Sequence, residues 1–528
     1  MFGASPAGSL PGLCTKLNPQ VFDIAVIGGG INGAGIARDA TGRGLAVPLA
    51  EQHDLASHTS SASTKLIHGG LRYLETYAFR LVREALAERE RLLRSAPHII
   101  KPLTFVLPHN PAIRPAWRIR LGLTVYDRLA RRGPLPASKV ISLKGDAAAR
   151  GLKSGFAKAF VYPDCWVDDS RLVVLTALDA AERGAAIVTR TKVVAAIRMG
   201  GFWELTLRPE GEGPLRRVRA KAVVNAAGPW VADVLQNVLG LTTRRRVRLV
   251  KGSHIVVPAL YEGEHAFIFQ NEDRRIVFAI PYEDRFTLIG TTDVPFEGDA
   301  GAVKASSAEI DYLCQCVSRY LCKPVFPGDA VWSYAGVRPL FDNGASDPSA
   351  VTRDYALDLD APPDQPPALS IFGGKITTFR RLAEHALAAL RPFFPAMGPA
   401  WTAQATLPGG DFEHGDFPAF ARGMRRRWPF LEERAALRLA RAYGTRVERI
   451  LGRARSMTDL GRDFGCGLTE AELDYLVRYE WARTSADVLW RRSKLGLQAP
   501  DMSADAVASY LNSKHGLMGD QWISSPHF

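Results

Sequence analysis

Cysteine is scarce in this sequence. Only six of the 528 residues are cysteines, too few for a chain of this length to be held together by disulfides. Cys314, Cys316 and Cys322 lie close together, but no histidine or fourth cysteine nearby completes a set of zinc ligands. The surrounding residues, EIDYLCQCVSRYL, are typical of a helix, on which buried thiols are common. The pattern predicts free thiols in a reducing compartment and no metal site.

Long hydrophobic runs are also missing. A membrane-spanning helix needs about 20 apolar residues, and the best candidate, residues 223–241, is interrupted by Asp233 and Gln236. Residues 1–20 have neither a basic start nor a long apolar centre, so they do not resemble a secretory signal. We interpret 1–20 as a flexible leader and expect no signal peptide and no transmembrane helix.

The composition is otherwise that of an ordinary globular protein with a sizeable core, 47% hydrophobic and 23% charged. A net charge of +13 and a pI near 9.5 suit anionic partners such as phosphorylated metabolites, acidic lipid or nucleic acid. No nucleic-acid-binding motif frames arginine runs such as 425–427, so we interpret them as a solvated helix face. Nucleic acid is therefore not an expected partner.

A dinucleotide-binding fingerprint begins at residue 21. The apolar run VFDIAVI predicts a buried parallel strand, and Gly28, Gly30 and Gly33 follow it as G-x-G-x-x-G before a helical pattern. Gly28 permits the tight turn, Gly30 admits a pyrophosphate, and Gly33 lets the helix pack closely. Glu51, at the end of a second strand, is placed to bind a ribose hydroxyl. Because the motif lies between a predicted strand and a predicted helix and is followed by Glu51, it indicates dinucleotide binding much more strongly than a lone glycine motif does.

NAD and FAD share this fingerprint, and later segments separate them. Residues 221–235 and 368–387 each repeat the order of strand, small-residue turn and helix. We expect these three units to converge on one ligand. The last unit offers the positive end of a helix, which suits a flavin because its pyrimidine edge gains negative charge on reduction. We therefore predict FAD. Pro48 lies inside the second strand and removes a ladder hydrogen bond, which puts the geometry of Glu51 in question.

Together these segments resemble the FAD-dependent glycerol-3-phosphate dehydrogenases, within the wider D-amino-acid-oxidase-like flavoprotein superfamily. The resemblance runs from about Phe22 to about Gly496. Its most specific motifs are IGGGINGAGIARDA, TSSASTKLIHGGLRYLE, YPDCWVDDSRLV, VKGSHIVVP, IGTTDV, YAGVRPL, TRDY and FGGKITT. It implies an α/β fold with an α+β substrate region: a Rossmann-like FAD-binding fold, an antiparallel-sheet substrate domain and a helical C-terminal domain.

The expected domain organisation is discontinuous. The predicted parts are a leader (1–20), an FAD-binding domain (21–105, 160–245 and 335–400), a basic amphipathic membrane-contact segment (106–159), a substrate-binding domain (246–334) and a helical cap (404–528). The cap is predicted from helical periodicity and from a capping box at Thr469–Glu472.

The resemblance extends to individual site residues. Expected cofactor contacts are Gly28, Gly30, Asn32, Gly33, Glu51, Ser60, Ser63, Lys65, Leu66, His68, Gly69, Val193, Ala227, Gly228, Gly374 and Thr377. Expected substrate contacts are Arg72, Tyr73, Thr292, Asp293 and Arg353, and the expected catalytic residues are His254, Arg338 and Lys375. Residues 60–75 would thus run from the pyrophosphate to the reaction face.

The expected reaction is oxidation of sn-glycerol 3-phosphate to dihydroxyacetone phosphate by hydride transfer to flavin N5, with a quinone as acceptor. His254 is the first choice as proton acceptor, because an imidazole pKa of about 6.5 suits neutral pH. Lys375 is the second, since neighbouring cations and burial lower a lysine pKa. Arg338 is too basic to accept the proton and would polarise the oxygen.

Residues 113–133 carry six arginines and one acid, with Trp117, Leu121, Val125 and Leu129 at four-residue spacing. Such a helix either lies on acidic lipid or packs its stripe into the protein. The resemblance favours the membrane surface, and with it a peripheral enzyme on the cytoplasmic face of the inner membrane. A homodimer is expected, although the oligomeric state is left open.

Two alternatives stay open. A glycerol-3-phosphate oxidase would differ only in passing electrons to oxygen. A non-catalytic FAD- or lipid-binding metabolite sensor belongs to another class of protein, and the complete set of Lys65, His254, Arg338 and Lys375 argues against it.

Overall fold

A computed structural model gives the structure of the protein, and it describes residues 21–129, 133–243, 245–273, 275–341, 354–498 and 504–518. The predicted leader, residues 1–20, and Arg353 lie outside the described residues.

The strands and helices follow each other along the chain in an interleaved order. The strands are β1 (Val21–Ile27), β2 (Pro48–Ala50), β3 (Leu66–Ile67), β4 (Ile100–Pro108), β5 (Lys139–Ser142), β6 (Lys158–Val167), β7 (Ala186–Val188), β8 (Thr191–Met199), β9 (Phe202–Pro209), β10 (Arg216–Asn225), β11 (Val247–Pro258), β12 (Ala266–Gln270), β13 (Ile276–Tyr282), β14 (Phe286–Gly290), β15 (Val294–Pro295), β16 (Trp332–Phe341), β17 (Ala356–Asp360) and β18 (Ala368–Phe372). The α-helices are α1 (Ile31–Gly42), α2 (Phe79–Ser95), α3 (Ala116–Arg128), α4 (Asp169–Glu182), α5 (Val231–Asp233), α6 (Ser307–Ser318), α7 (Phe379–Leu390), α8 (Phe417–Arg427), α9 (Glu433–Tyr443), α10 (Glu448–Leu451), α11 (Glu470–Glu480), α12 (Leu495–Gln498) and α13 (Ala504–Met518).

Short 3₁₀ and π turns complete the secondary structure. The 3₁₀ turns are Thr59–Ser61, Leu71–Thr76, Ala147–Ala149, Gly228–Trp230, Pro327–Asp329, Arg391–Phe393, Glu413–Gly415, Gly444–Val447 and Met457–Leu460. The π turns are Val234–Val238 and Asp487–Arg492.

The first sheet has the strand order β17-β18-β10-β1-β2-β7. Strands β18, β10, β1, β2 and β7 are parallel, and β17 and the β8–β9 hairpin are antiparallel additions. Parallel strands are covered on both faces, which explains the continuous apolar run of β1. Helix α1 packs against α4 and α7 on this sheet. Pro48 is the first residue of β2, where a missing N–H is tolerated.

The second sheet has the order β15-β11-β14-β13-β12-β4-β6-β3, with β16 on the other side of β11 and β5 on β6. Its pairs are antiparallel except for β12 and β4, which are parallel. The predicted fold class, with a Rossmann-like part, an antiparallel sheet and a helical C-terminal part, is confirmed. Strands β4 and β6 belong to this second sheet, so the predicted FAD-binding segments 21–105 and 160–245 supply strands to both sheets.

Helices α8 to α13 have a hydrophobic core of their own. Buried ion pairs join them to the rest of the chain: Arg492 Nη2 lies 2.8 Å from Asp54 Oδ1, and Arg171 Nη2 lies 2.9 Å from Glu480 Oε1. The predicted cap at Thr469 is present, since its side chain accepts from the N–H of Glu472. The Glu472 carboxylate, however, accepts hydrogen bonds from Arg438 and Tyr443 and so serves the core.

Within the described part of the chain, none of the helices has the length and apolar character needed to cross a bilayer.

Candidate active site

A cavity of about 470 Å³ lies where the carboxyl ends of the parallel strands meet one face of the second sheet. Its walls include Ile27, Ala50 and Ala226 at the ends of β1, β2 and β10, and His254 and Arg338 from β11 and β16. Crevices beyond the carboxyl ends of parallel strands are where open α/β sheets bind their ligands. The cavity therefore joins a nucleotide site to a second, chemically distinct wall.

The glycine motif has the shape of a pyrophosphate cradle. A Cβ on Gly28, which has φ +111°, would lie 2.6 Å from the carbonyl oxygen of Ala226. A Cβ on Gly33 would lie 1.9 Å from the carbonyl oxygen of Gly28. Both positions therefore require glycine for the strand, turn and helix to pack. Gly28 and Gly30 line the cavity, whereas Gly33 packs α1 against the turn.

Glu51 lines the same cavity and also fixes the turn. Its carboxylate accepts hydrogen bonds from the backbone N–H of Gly29 at 2.6 Å and of His53 at 2.8 Å. Burial raises the pKa of Glu51, while these two bonds act to lower it. Pro48 has thus not displaced this acid from the turn. Val193, a predicted cofactor contact, lines the cavity beside Thr191 and Lys192.

The third strand–turn–helix unit meets the first through Asn32. The Asn32 side-chain amide donates to the carbonyl of Gly373 at 3.1 Å. Its Oδ1 is buried and, among the described residues, has no hydrogen-bond partner. A buried acceptor of this kind calls for a ligand donor. A Cβ on Gly374 would lie 2.8 Å from the Asn32 amide nitrogen, so Gly374 permits the close approach. The residues present therefore fit a dinucleotide such as FAD.

Several other predicted cofactor contacts line the cavity as well: Ser60, Ser63, Leu66, His68, Ala227, Gly228 and Thr377. Ser60 Oγ accepts from the N–H of Ile31 at 3.0 Å, at the first turn of α1. The N–H of His68 donates to Thr377 Oγ1 at 3.4 Å. Residues 60–75 thus connect the first and third turns.

Besides Gly33, two predicted cofactor contacts lie behind the cavity wall rather than in it. Lys65 is buried, and its Nζ lies 2.7 Å from Asp169 Oδ1 and donates to the carbonyl of Ser61. The Gly69 N–H donates to Tyr126 of α3 at 2.9 Å, and a Cβ on Gly69 would lie 2.5 Å from that hydroxyl. Lys65 and Gly69 therefore hold residues 60–75 in place through contacts behind the cavity wall.

A cluster of charges from β16 and from three turns lines the cavity. Arg338 forms an ion pair with Asp293, and its Nη2 donates to Thr291 Oγ1 at 3.0 Å. Arg72 Nη1 lies 4.0 Å from the other oxygen of Asp293. Lys375 lines the cavity with its Nζ 4.1 Å from the centre of the Tyr73 ring. The structure thus brings Arg72, Tyr73, Asp293, Arg338 and Lys375 together.

Thr292 does not line the cavity. Its hydroxyl is buried, accepts from the N–H of Ser253 at 2.9 Å and donates to Glu309 at 2.8 Å. Lys251 Nζ lies 2.6 Å from Glu309. Although burial acts to raise the pKa of Glu309, the hydrogen bonds from Lys251, Ser306 and Thr292 lower it to about 2. This network holds β11 beneath the charged cluster.

His254 is buried in the cavity wall. Its Nε2 lies 2.9 Å from Thr64 Oγ1, and its ring stacks on Tyr334 with centres 4.8 Å apart. Burial, and then the charges of Arg338 and Lys65, hold the pKa of His254 well below its usual value. The imidazole is therefore neutral at pH 7.

Sequence reasoning missed three residues that build this wall: Thr64, Asp169 and Tyr334. Each lies within one of the family motifs, TSSASTKLIHGG, YPDCWVDDSRLV or YAGVRPL. Asp169 accepts from both the N–H and the hydroxyl of Ser63, and Tyr334 donates to the Ser63 carbonyl at 2.8 Å. Their partners lie 106 and 271 residues away along the chain, and no local pattern reveals such pairs.

The chain matches two families in succession. Residues 23–356 match the family described as FAD dependent oxidoreductase, and residues 400–517 match the C-terminal domain of alpha-glycerophosphate oxidase. The fold and the cavity therefore define an FAD-dependent oxidoreductase, and FAD is its cofactor.

The relatives narrow this class. The chain is 55% identical to a glycerol-3-phosphate dehydrogenase of Pseudomonas aeruginosa, covering 94% of this chain and 96% of the relative. It is 50% identical to a D-erythritol 1-phosphate dehydrogenase of Brucella abortus, covering 94% and 98%. The structure resembles that of the glycerol-3-phosphate dehydrogenase from Bacillus halodurans complexed with FAD, with a TM-score of 0.75, 27% identity and coverage of 96% and 92%. The chain belongs to the FAD-dependent glycerol-3-phosphate dehydrogenase family.

Proposed function

We propose that the protein oxidises sn-glycerol 3-phosphate to dihydroxyacetone phosphate with FAD, and passes the electrons to a membrane quinone. The convergence of Arg72, Arg338, Lys375 and His254 on the cavity that contains the glycine cradle carries this proposal. A phosphate dianion requires cations that can form charge-assisted hydrogen bonds. Oxidation of an alcohol requires a proton acceptor within reach of the hydroxyl. In this proposal the three cations bind the phosphate and His254 accepts the proton.

His254 accepts the hydroxyl proton in this proposal. Its depressed pKa keeps the imidazole unprotonated at neutral pH, and Thr64 fixes the ring through Nε2. Nδ1 is buried and has no hydrogen-bond partner among the described residues. The tautomer depends on whether Thr64 donates or accepts. Lys375 remains the second candidate for this role, since it lines the same cavity.

Arg72 and Arg338 bind and polarise the substrate. Asp293 lies between the two guanidinium groups and orients both. Because the preorganised donors do not have to move, they stabilise charge on the oxygen as it develops. Arg353 stays a predicted substrate contact outside the described residues.

FAD, when bound, supplies the two-electron acceptor for the hydride of the substrate carbon. Gly28 and Gly30 would hold its pyrophosphate, Asn32 Oδ1 would accept from a cofactor hydroxyl, Glu51 would bind the ribose, and Gly374 and Thr377 would hold the ring end.

The membrane surface is proposed to lie at α3. Trp117 and Leu121 on this helix are 67% and 56% exposed, and Arg118 and Arg120 beside them are also exposed. Arg114, two residues before α3, lines the cavity. This surface supports peripheral binding to acidic lipid. The cytoplasmic face of the inner membrane stays a prediction from the family resemblance.

The cavity also has an apolar wall suited to a quinone, formed by Leu107, Tyr162, Ile268, Ile276 and Phe278. Oxygen is the alternative acceptor, as in the oxidase whose C-terminal domain the chain resembles. Stoichiometric peroxide during turnover in air, with no faster rate on added quinone, would identify an oxidase. A homodimer stays a prediction, which light scattering of the solubilised protein tests.

D-erythritol 1-phosphate is a second candidate substrate. The D-erythritol 1-phosphate dehydrogenase of Brucella abortus is 50% identical to this chain, close to the 55% of the Pseudomonas aeruginosa relative. Gln270 and the Arg114–Glu75 ion pair add polar groups to the cavity wall, which suits further hydroxyls. The ratio of kcat/KM for the two polyol phosphates decides between them.

The direct test is anaerobic mixing of FAD-loaded protein with each polyol phosphate. Loss of the oxidised flavin's visible absorption is expected with sn-glycerol 3-phosphate. A fully loaded flavin that stays oxidised with both compounds would favour the metabolite sensor over the enzyme.

A further inference from the structure

A row of aromatic rings connects the C-terminal helices to His254. Trp490 packs against Trp332 with ring centres 4.7 Å apart. Trp332 packs against Tyr334 at 4.9 Å, and Tyr334 stacks on His254 at 4.8 Å with an angle of 13° between the ring planes. The last ring of the row is therefore in face-to-face contact with the proposed proton acceptor.

The register of the second sheet explains this order. Trp332 and Tyr334 are two residues apart on β16, so they share one face of the sheet. They lie opposite Val256 and His254 of β11. The sheet thus fixes two of the rings, and Trp490 comes from outside it.

Contacts between the C-terminal part and the rest of the chain hold Trp490 in place. Its carbonyl accepts from Lys494 Nζ at 2.8 Å. The next two residues, Arg491 and Arg492, both form ion pairs with Asp54. The position of Trp490 therefore follows from contacts made with the FAD-binding part of the chain.

A second cavity of about 180 Å³ borders the row. Trp332, Tyr334 and Trp490 all line it, together with Arg491 and Lys494. The Tyr334 ring thus lies between this cavity and the imidazole of His254, and the two tryptophans support it there.

We propose that Trp490 is a positioning residue for the reaction: through Trp332 and Tyr334 it fixes the ring plane of His254 and keeps water in the second cavity away from that ring. The proposal rests on the proposed function in taking His254 as the proton acceptor. It gives the C-terminal helices a direct part in the site.

The groups that face His254 set the expected pH dependence. They are Thr64, Tyr334, Arg338 with its partner Asp293, and Lys65 with its partner Asp169. Replacing Trp490 changes none of these charges and alters only packing and hydration. Because burial is the largest cause of the lowered pKa of His254, added water raises that pKa toward its usual value. The rate requires neutral His254, so the acid limb of the pH profile moves to higher pH.

The test compares Trp490→Leu with Trp490→Phe, which keeps an aromatic ring. Trp428→Leu is the control, because Trp428 is buried in the same C-terminal core but lies outside the row. Flavin content and melting temperature are measured for each. We expect Trp490→Leu to lower kcat on the order of ten- to a hundredfold with a much smaller change in KM, and Trp490→Phe to retain most of kcat. Equal kcat and pH profiles for Trp490→Leu and Trp428→Leu would overturn the proposal.

Exchange of the imidazole Cε1 hydrogen, followed by mass spectrometry of the His254 peptide, measures the pKa of His254 without any turnover. A higher pKa in Trp490→Leu than in wild type is expected, and an unchanged pKa would contradict the role of the row. If Trp490→Leu does not fold, Trp332→Leu breaks the same row and is held to the same expectation.

A His254→Gln background separates the two proposals. If the row acts through His254, adding Trp490→Leu there changes kcat less than about twofold, and a full further loss would contradict it. If wild type oxidises neither polyol phosphate, the proposed function fails, while the exchange measurement still decides the role of Trp490.

Discussion

Asp293 shows how single residues share charge in this site, since it contacts both Arg72 and Arg338. In the proposed mechanism, removing Arg338 takes away a donor to the developing oxyanion and one of the cationic partners of Asp293. Arg338→Ala should therefore lower kcat by about 10²–10³ with normal flavin content. Steady-state kinetics and the flavin-to-protein ratio measure this, with exposed Arg150→Ala as control. A near-normal rate would remove Arg338 from the proposed mechanism.

Glu51 should affect the cofactor instead of the chemistry. Glu51→Ala removes the acceptor for the N–H groups of Gly29 and His53, so the turn loosens and FAD is retained less well. Turnover per bound flavin should stay nearly intact. Equilibrium dialysis gives the FAD affinity, and Glu51→Gln, which keeps an acceptor oxygen, should lose less. Unchanged FAD affinity in Glu51→Ala would show that the turn does not depend on this acid.

At this scale the sequence predicted the residue types in the cavity but not all their positions. The glycine motif specifies its own geometry, since Cβ atoms at Gly28 and Gly33 would meet backbone. Lys65 differed because its partner, Asp169, is 104 residues away. From the sequence alone, a lysine in such a motif is interpreted as a ligand contact, because the carboxylate that pairs with it is not apparent.

At the scale of the elements, helix α3 has one apolar face packed into the protein and another exposed to solvent, whereas the sequence analysis treated these as alternatives. Ile119, Leu123 and Tyr126 are buried against the protein, whereas Trp117 and Leu121 are exposed. The apolar residues at four-residue spacing from Trp117 therefore begin on the exposed face of α3. The buried face is formed by other residues. Periodicity alone could not distinguish the faces, because both carry apolar side chains.

The double change Trp117→Ser and Leu121→Ser should release the protein from acidic vesicles without loss of dye-linked activity in solution. Each arginine near anionic lipid adds about 1 kcal/mol, so wild type should bind acidic vesicles better than neutral ones and more weakly at high salt. Flotation measures binding. Ile119→Ser with Leu123→Ser is the matched control and should lower the melting temperature instead. Equal vesicle binding of the Trp117/Leu121 variant would place the membrane contact elsewhere.

At the scale of the whole molecule, buried histidines make stability depend on pH. Burial, with the charges of Arg171 and Arg441, lowers the pKa of His98 to about 3, and burial lowers that of His58 to about 4. A histidine whose pKa is lower in the folded than in the unfolded state stabilises the fold above the unfolded value, near 6.5. That stability is lost as pH falls toward the folded pKa.

For His98 alone the free energy of unfolding should fall by about 2 kcal/mol between pH 7 and pH 5. His98 contacts Phe412 of the C-terminal part, so acid should loosen this junction. Urea denaturation of wild type and His98→Gln at both pH values measures the effect. The variant should show the smaller pH dependence, and equal slopes would assign the acid sensitivity to other groups.

The strand order of the first sheet has a consequence for synthesis on the ribosome. Strand β10 lies between β1 and β18, and the Asn32 amide binds the turn that follows β18. The contact between Asn32 and Gly373 cannot form until residue 373 of 528 has emerged, so more than half of the chain is made before the flavin site is complete. Until then residues 223–225 of β10 lack their β18 partner and must be kept from pairing with other chains. Nascent chains that end before β18 should therefore engage chaperones and carry no flavin, and those extended past α7 should begin to retain it.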